Sequence, residues 1–320
     1  MAAVTHEVTP EGNAILVVKN PNAPFAPCHT KSAAPGESAD AIDNKNPSQE
    51  VRIRVSSAHL KLASPVFKKA LSGEWKEAAT LKDSGSVAIE TSEWDVDALL
   101  LLMRIFHCQL SDLPKKLDIE RLAKLLVLVD YYECDDLLGF IGERWHTPLY
   151  TFQNIRVTTI RFWVAWTLAH AEAFSHYSTM LVRHADGPIM SLGLPIPSTI
   201  VDNLNERREV ALSSSIQSSR IRRANGKAKI AYATSSANAP YQGLSLHDLQ
   251  AAVGELKPPQ FREWTKDKPD PDSPIKPHEC KHTRFSELRA AVASRDIKGI
   301  ELSDFKSLSG KVKPVVASKG

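Results

Sequence analysis

The stretch Val51-Arg-Ile-Arg-Val-Ser-Ser-Ala-His-Leu-Lys-Leu-Ala-Ser-Pro-Val-Phe67 decides how the rest of the chain is read. Val51, Ile53 and Val55 alternate with Arg52 and Arg54, which places three apolar side chains on one face of a strand and two cations on the other. At Ser56 that alternation stops. Ala58 to Leu62 makes a first helical turn, and Pro65 stands near the start of a second helix that runs to about Leu71, where Gly73 supplies a stop.

Upstream, Ala14-Ile-Leu-Val-Val-Lys19 is a β-branched run that reads as the first strand. Between the two strands, residues 20–48 carry prolines 21, 24, 27, 35 and 47 among small polar residues. That segment has too little apolar content to offset the entropy of ordering, so a disordered insertion is expected over 20–48. Downstream, Val87-Ala-Ile-Glu90 reads as a short strand, and Ser92 as the cap of a helix from about Glu93 to His107. In that helix Leu99, Leu102, Met103 and Phe106 form one stripe, while Leu100, Leu101 and Ile105 cover the opposite side, so most of its surface must be buried. Asp118 caps another helix, striped by Ile119, Leu122, Leu126 and Val129, and Leu137, Ile141 and Trp145 recur every fourth residue along a further one.

Beyond Pro148 the character changes. Ile160, Val164 and Leu168 run with Trp163 and Trp166 along one helix, and Phe174, Tyr177 and Leu181 mark the next. After a loop from Gly187 to Pro197, an amphipathic helix turns Ile200, Leu204 and Ala211 inward. From about residue 213 periodicity fades into Ser, Ala, Lys and Arg, and a mostly disordered tail is expected over 213–320, with short helices near 246–256 and 285–293. The expected organisation is therefore an α+β domain over 14–147, an accessory helical region over 148–212, and that tail.

The 320 residues carry a net charge of +3, too mild to demand nucleic acid as a partner. Cys28, Cys108, Cys134 and Cys280 are widely scattered, which suits a reducing compartment better than a disulfide framework, and Cys108 reads as a core thiol closing a buried helix. The first residues lack the basic start and apolar run of a secretory signal, and the longest apolar run falls far short of the roughly 18 residues of a membrane span. A soluble protein of the nucleus or cytoplasm is expected.

No Gly-rich phosphate loop, Gly-x-Ser-x-Gly elbow or His-Glu-x-x-His occurs, and Asp130 is a lone carboxylate in an apolar helix, so neither an enzyme nor a bound cofactor is expected. His278-Glu-Cys-Lys-His282 puts three soft ligands in five residues but lacks a fourth, and it reads as a solvated loop. Arg220, Arg222, Arg223, Lys227 and Lys229 form a basic run that suits a nuclear-localisation signal; no aromatic residue interleaves it for base stacking. Trp163, Trp166, Tyr131 and Tyr132 read as packing residues.

Four pieces together resemble a BTB/POZ domain: Val55-Ser56-Ser57, Leu60 and Ser64-Pro-Val-Phe67 at the family's spacing, and Leu126-Val-Leu-Val-Asp-Tyr-Tyr132 followed by Leu137. The family's histidine falls on Ser56. The segments Lys19-Asn-Pro-Asn-Ala-Pro-Phe25, Gly187-Pro-Ile with Leu192-Gly-Leu-Pro-Ile-Pro197, and Ile300-Glu-Leu-Ser-Asp-Phe305 resemble an uncharacterised fungal group of BTB-like proteins. The resemblance implies a module for protein–protein interaction, acting by homodimerisation or by recruiting a partner. It also implies, as an alternative, a substrate adaptor that holds a cullin scaffold through an apolar-x-Glu motif, for which Leu110-Ser-Asp112, with Asp for Glu, is the nearest equivalent. The basic run leaves open a different class, a nuclear regulator that contacts nucleic acid through it.

Overall fold

The computed structural model describes residues 5–27, 50–219, 245–254, 260–261, 264–265, 268–269, 276–277, 297 and 299–305. A four-stranded mixed sheet forms from β1 (His6–Glu7), β2 (Ala14–Lys19), β3 (Val51–Val55) and β4 (Val87–Ser92), in the order β1-β3-β2-β4. β2 and β3 are antiparallel, with Leu16 opposite Ile53, and β4 runs parallel to β2, with Leu16 beside Ile89. The alternation of Val51 to Val55 appears as expected, with the valines and isoleucine buried and the arginines half-buried. Gly12 lies where a Cβ would meet the Val55 carbonyl oxygen at 2.5 Å, so only glycine lets the turn before β2 come this close to β3.

The long connection from β3 to β4 is helical: α1 (Ser57–Ala63), α2 (Pro65–Ser72) and α3 (Lys76–Ser84). Pro65 takes the first position of α2, where its missing N–H costs nothing. Ser64 caps that helix by accepting from the Phe67 N–H at 3.2 Å, and its hydroxyl donates to the Tyr132 carbonyl at 2.7 Å. The Phe67 and Tyr132 rings stack with centroids 4.5 Å apart. Ser64 and Phe67 are thus joined to Tyr132 across more than sixty residues of sequence, which binds the helical pair to the helices that follow. Helix α3 has no buried residue and no apolar stripe, and the sequence carried no periodic signal for it.

Next come α4 (Val96–Phe106), α5 (Ile119–Tyr131), α6 (Leu138–Trp145) and α7 (Ile155–Thr167). In α4 every side chain but those of Asp97 and Arg104 is buried, which makes it the centre of the core. Its cap is Asp95, accepting from the Ala98 N–H at 3.0 Å, and not Ser92. Strand pairing carries β4 on to Ser92, and Glu93 turns the chain with φ of 68°, so Ser92 is spent on the sheet. In α7 Trp163 and Trp166 are buried, as expected, and Phe162 stacks on Phe174. Asn154 caps it by accepting from the Val157 N–H at 2.8 Å.

Helix α8 spans Ala171–His184, α9 Ser198–Ser219 and α10 Leu246–Gly254, making ten α-helices among the described residues in an α+β fold. The chain divides into two compact units, which cut across the boundaries expected from sequence. One takes residues 1–174, 191–196 and 301–320, and the other 175–190 and 197–300. In the second unit the inner stripe of α9 is Ile200, Leu204, Arg208 and Leu212, at a spacing of four; Ala211 lies beside it, half-buried. The buried Arg208 donates from Nε to the Ala185 carbonyl at 3.0 Å, which lets a guanidinium occupy an apolar stripe. The helix continues to Ser219, past the expected limit at 212.

Two packing expectations are corrected. Cys108 is exposed, because the chain leaves α4 through a left-handed turn at this residue, with φ of 57°. Tyr131 is 56% exposed while Tyr132 is buried, since neighbours on a helix point about 100° apart. Residues 20–27, expected within a disordered insertion, are held: Asn22 donates its N–H to the Trp94 carbonyl at 3.0 Å, and Arg156 donates to the Phe25 and Ala26 carbonyls at 2.9 and 3.0 Å. Residues 28–49 lie outside the described residues, as does the helix expected near 285–293.

Candidate interaction site

Among the described residues of the first unit, Leu62 of α1 and Trp75 are the most exposed large apolar side chains. Leu60 is fully buried and Leu62 is 86% exposed. Two residues of helix turn the side chain by about 200°, so the two leucines of α1 face opposite ways. Trp75, just before α3, is 65% exposed. Neither was singled out from sequence. The available signal was the Leu-x-Leu spacing itself, which no single helical face can bury.

The second surface is the turn after α4. A 3-10 turn at Leu110–Asp112 leaves Leu110 half-exposed and Asp112 exposed. It is anchored on both sides. Gln109 donates its side-chain amide to the Val8 carbonyl at 2.6 Å, Leu113 is buried, and the Trp145 indole N–H donates to the Pro114 carbonyl at 2.9 Å. The acidic and apolar groups anticipated from sequence therefore sit together on a fixed, outward turn.

Between these surfaces, a histidine pair links α4 to the start of α1. The Ser56 backbone N–H donates to His107 Nε2 at 2.9 Å, while Nδ1 of the same ring lies 2.7 Å from the Met103 carbonyl. An Nε2 that accepts and an Nδ1 that donates describe a neutral imidazole. His59 of α1 stacks on it with centroids 4.7 Å apart. Burial, and then the charge His59 can carry, hold the His107 pKa below its usual value, against the opposing pull of the Met103 carbonyl. No periodicity or motif marks this pair in the sequence.

Two other titratable groups of the first unit, Cys134 and His146, serve packing. Burial pushes the Cys134 thiol up to about 12, so it stays protonated and donates to the Tyr132 carbonyl at 3.2 Å. Burial, helped by His170, lowers His146 to about 4. Among the described residues no group of three or more His, Cys, Asp or Glu converges as a metal site, and no helix is long and apolar enough to cross a membrane. The basic run Arg220, Arg222, Arg223, Lys227 and Lys229 and the segment His278 to His282 lie outside the described residues.

No family model, curated protein or solved structure matches this chain.

Proposed function

We propose that this chain is a protein–protein interaction module of the BTB/POZ type, without catalysis of its own, that associates through the outer face of its α1–α3 helical segment. The order of elements supports the resemblance: an antiparallel pair β2–β3, the helical pair α1–α2, a strand β4 returning parallel to β2, and the buried helix α4 followed by α5 and α6. The observation that carries the reading is Leu62, a large aliphatic side chain left 86% exposed two positions from the fully buried Leu60. Burying it stabilises an interface by about 2 kcal/mol per protomer, and a two-fold dimer counts that twice.

Light scattering on the full-length chain, before and after Leu62→Glu, tests the reading. A dimer that becomes a folded monomer on substitution supports it. A wild-type protein that stays monomeric at every attainable concentration overturns it.

The anchored Leu110–Asp112 turn favours a second reading, an adaptor for a cullin-type ubiquitin ligase. A purified cullin N-terminal region should bind the full-length chain and lose it on combined Leu110→Ala and Asp112→Ala substitution. No binding by the unsubstituted chain would rule the adaptor out. The nuclear reading rests on the basic run at 220–229 and predicts salt-sensitive DNA binding that disappears when the run is deleted.

A further inference from the structure

Two sequence segments that the proposed function leaves unused meet in the first unit. The stretch 19–25 contributes Ala23, Pro24 and Phe25, and the stretch 192–197 contributes Leu192, Gly193 and Leu194, to a groove of about 630 Å3, with residues 26–27, the end of β4, the turn 93–95 and one face of α5 completing its walls. That volume falls within the range of sites that hold ligands. The groove is also distinct from the α1 face, so a protein that fails to dimerise would still possess it.

Its walls are fixed before any ligand arrives. Arg156 holds the Phe25 and Ala26 carbonyls, and the Asn22 side-chain oxygen accepts from the Val96 N–H at 3.0 Å. The Glu93 N–H donates to the Lys19 carbonyl at 2.8 Å. Lys124 pairs with Asp95 at 2.9 Å and lies 5.7 Å from the centre of the Phe25 ring. Asn22, Ala26, Glu93 and Leu192, all at or beside the groove, take the left-handed backbone conformation that side chains other than glycine disfavour. A groove held this firmly loses little further freedom when it binds.

Its chemistry is aromatic and acidic. Trp94 and Tyr131 meet edge to face with centroids 5.0 Å apart, and Tyr131 is more than half exposed. Rigid aromatic walls of this kind suit the faces of proline rings in an extended left-handed helix, a ligand that is already ordered when free. Three carboxylates (Glu90, Glu93 and Asp95) line the groove against one ammonium, Lys124. Glu90 is taken up by Lys19 at 2.7 Å and Asp95 by Lys124. Glu93 is exposed and makes no ion pair among the described residues, so the groove presents a negative charge for a cation to meet.

We propose that this groove binds an extended proline-rich segment of a partner protein that carries an arginine or lysine beside its prolines.

The test uses the full-length chain and a fluorescein-labelled peptide, Arg-Pro-Leu-Pro-Pro-Leu-Pro, followed by anisotropy. Saturable binding is expected, roughly tenfold weaker or more when alanines replace the prolines, and weakened again when Glu replaces Arg. Tyr131→Ala should reduce affinity roughly tenfold. Glu93→Gln should abolish the preference for the Arg peptide over the Glu peptide while leaving the proline dependence in place. Both side chains are exposed, and an unchanged thermal midpoint establishes that each variant is folded. The proposal is overturned by the absence of saturable binding, by equal binding of the alanine peptide, or by unaltered affinity in both folded variants.

Discussion

Acidification should loosen the joint between α4 and α1, and His107 is the residue that makes it do so. Its Nε2 accepts the Ser56 N–H at 2.9 Å and its Nδ1 faces the Met103 carbonyl, so the folded protein requires the neutral ring. Burial holds its folded pKa below the ordinary 6.5. The sign follows from linkage. Below pH 6.5 the unfolded chain takes up a proton that the folded chain refuses, so stability is complete above 6.5 and falls as pH drops. The loss stops once the folded ring itself titrates. Protonation would set a second donor against the Ser56 N–H, at a cost of about 1–3 kcal/mol. Linkage caps the effect of one proton near 2 kcal/mol between pH 6.5 and about pH 5, and solvent reaching the half-buried ring keeps the loss below that cap.

Urea unfolding at about pH 7.5 and about pH 5, on the wild type and on His107→Gln, measures this. Glutamine keeps a donor and an acceptor but does not titrate, so the variant should show a smaller difference between the two conditions. His146, held near 4, destabilises in acid with the same sign in both proteins and cancels in the comparison. Identical pH dependence in the two proteins would refute the role assigned to His107.

Three further outcomes follow from the packing. Leu102→Ala should lower unfolding free energy by roughly 2–5 kcal/mol, since Leu102 is fully buried in α4; a loss under about 0.5 kcal/mol, typical of surface changes, would remove α4 from the centre of the core. Ser64→Ala should cost about 1–3 kcal/mol in denaturant unfolding, because one hydroxyl both caps α2 and satisfies the Tyr132 carbonyl. A neutral outcome would mean that the Cys134 thiol, which also donates to the Tyr132 carbonyl, suffices there and that the cap contributes nothing. Arg156→Ala should speed amide exchange at Asn22, whose N–H bond to Trp94 depends on the arm that Arg156 holds. Unchanged exchange there would show that the arm stands without the arginine.

Much of the fold was legible because its signals are local. The alternation from Val51 to Val55, the crowding of leucines in α4, Pro65 opening α2 and Asp118 capping α5 each act over a few residues, and the structure has all four. Signals that depend on a neighbour distant in sequence were misread. Ser92 resembles a helix cap until β2 pairs with β4 and Asp95 takes the role. The prolines of the arm resemble those of a loose linker until Arg156 bonds its carbonyls. Helix α3 has no stripe to read.

By itself the sequence determined which segments must be buried, because hydrophobic period and chain stiffness are properties of consecutive residues. It also placed Leu110 and Asp112 after the buried helix, where the structure leaves them outward-facing. Only the tertiary structure decided which apolar residues remain outside. Leu60 and Leu62 are equally apolar, as are Tyr131 and Tyr132, and each pair is divided by the rotation of its helix against a particular neighbour. The same holds for His107, whose place opposite Ser56 spans fifty-one positions and leaves no local trace. The groove at Trp94 and Tyr131 likewise exists only once β4, α5 and two distant loops have been brought to one place.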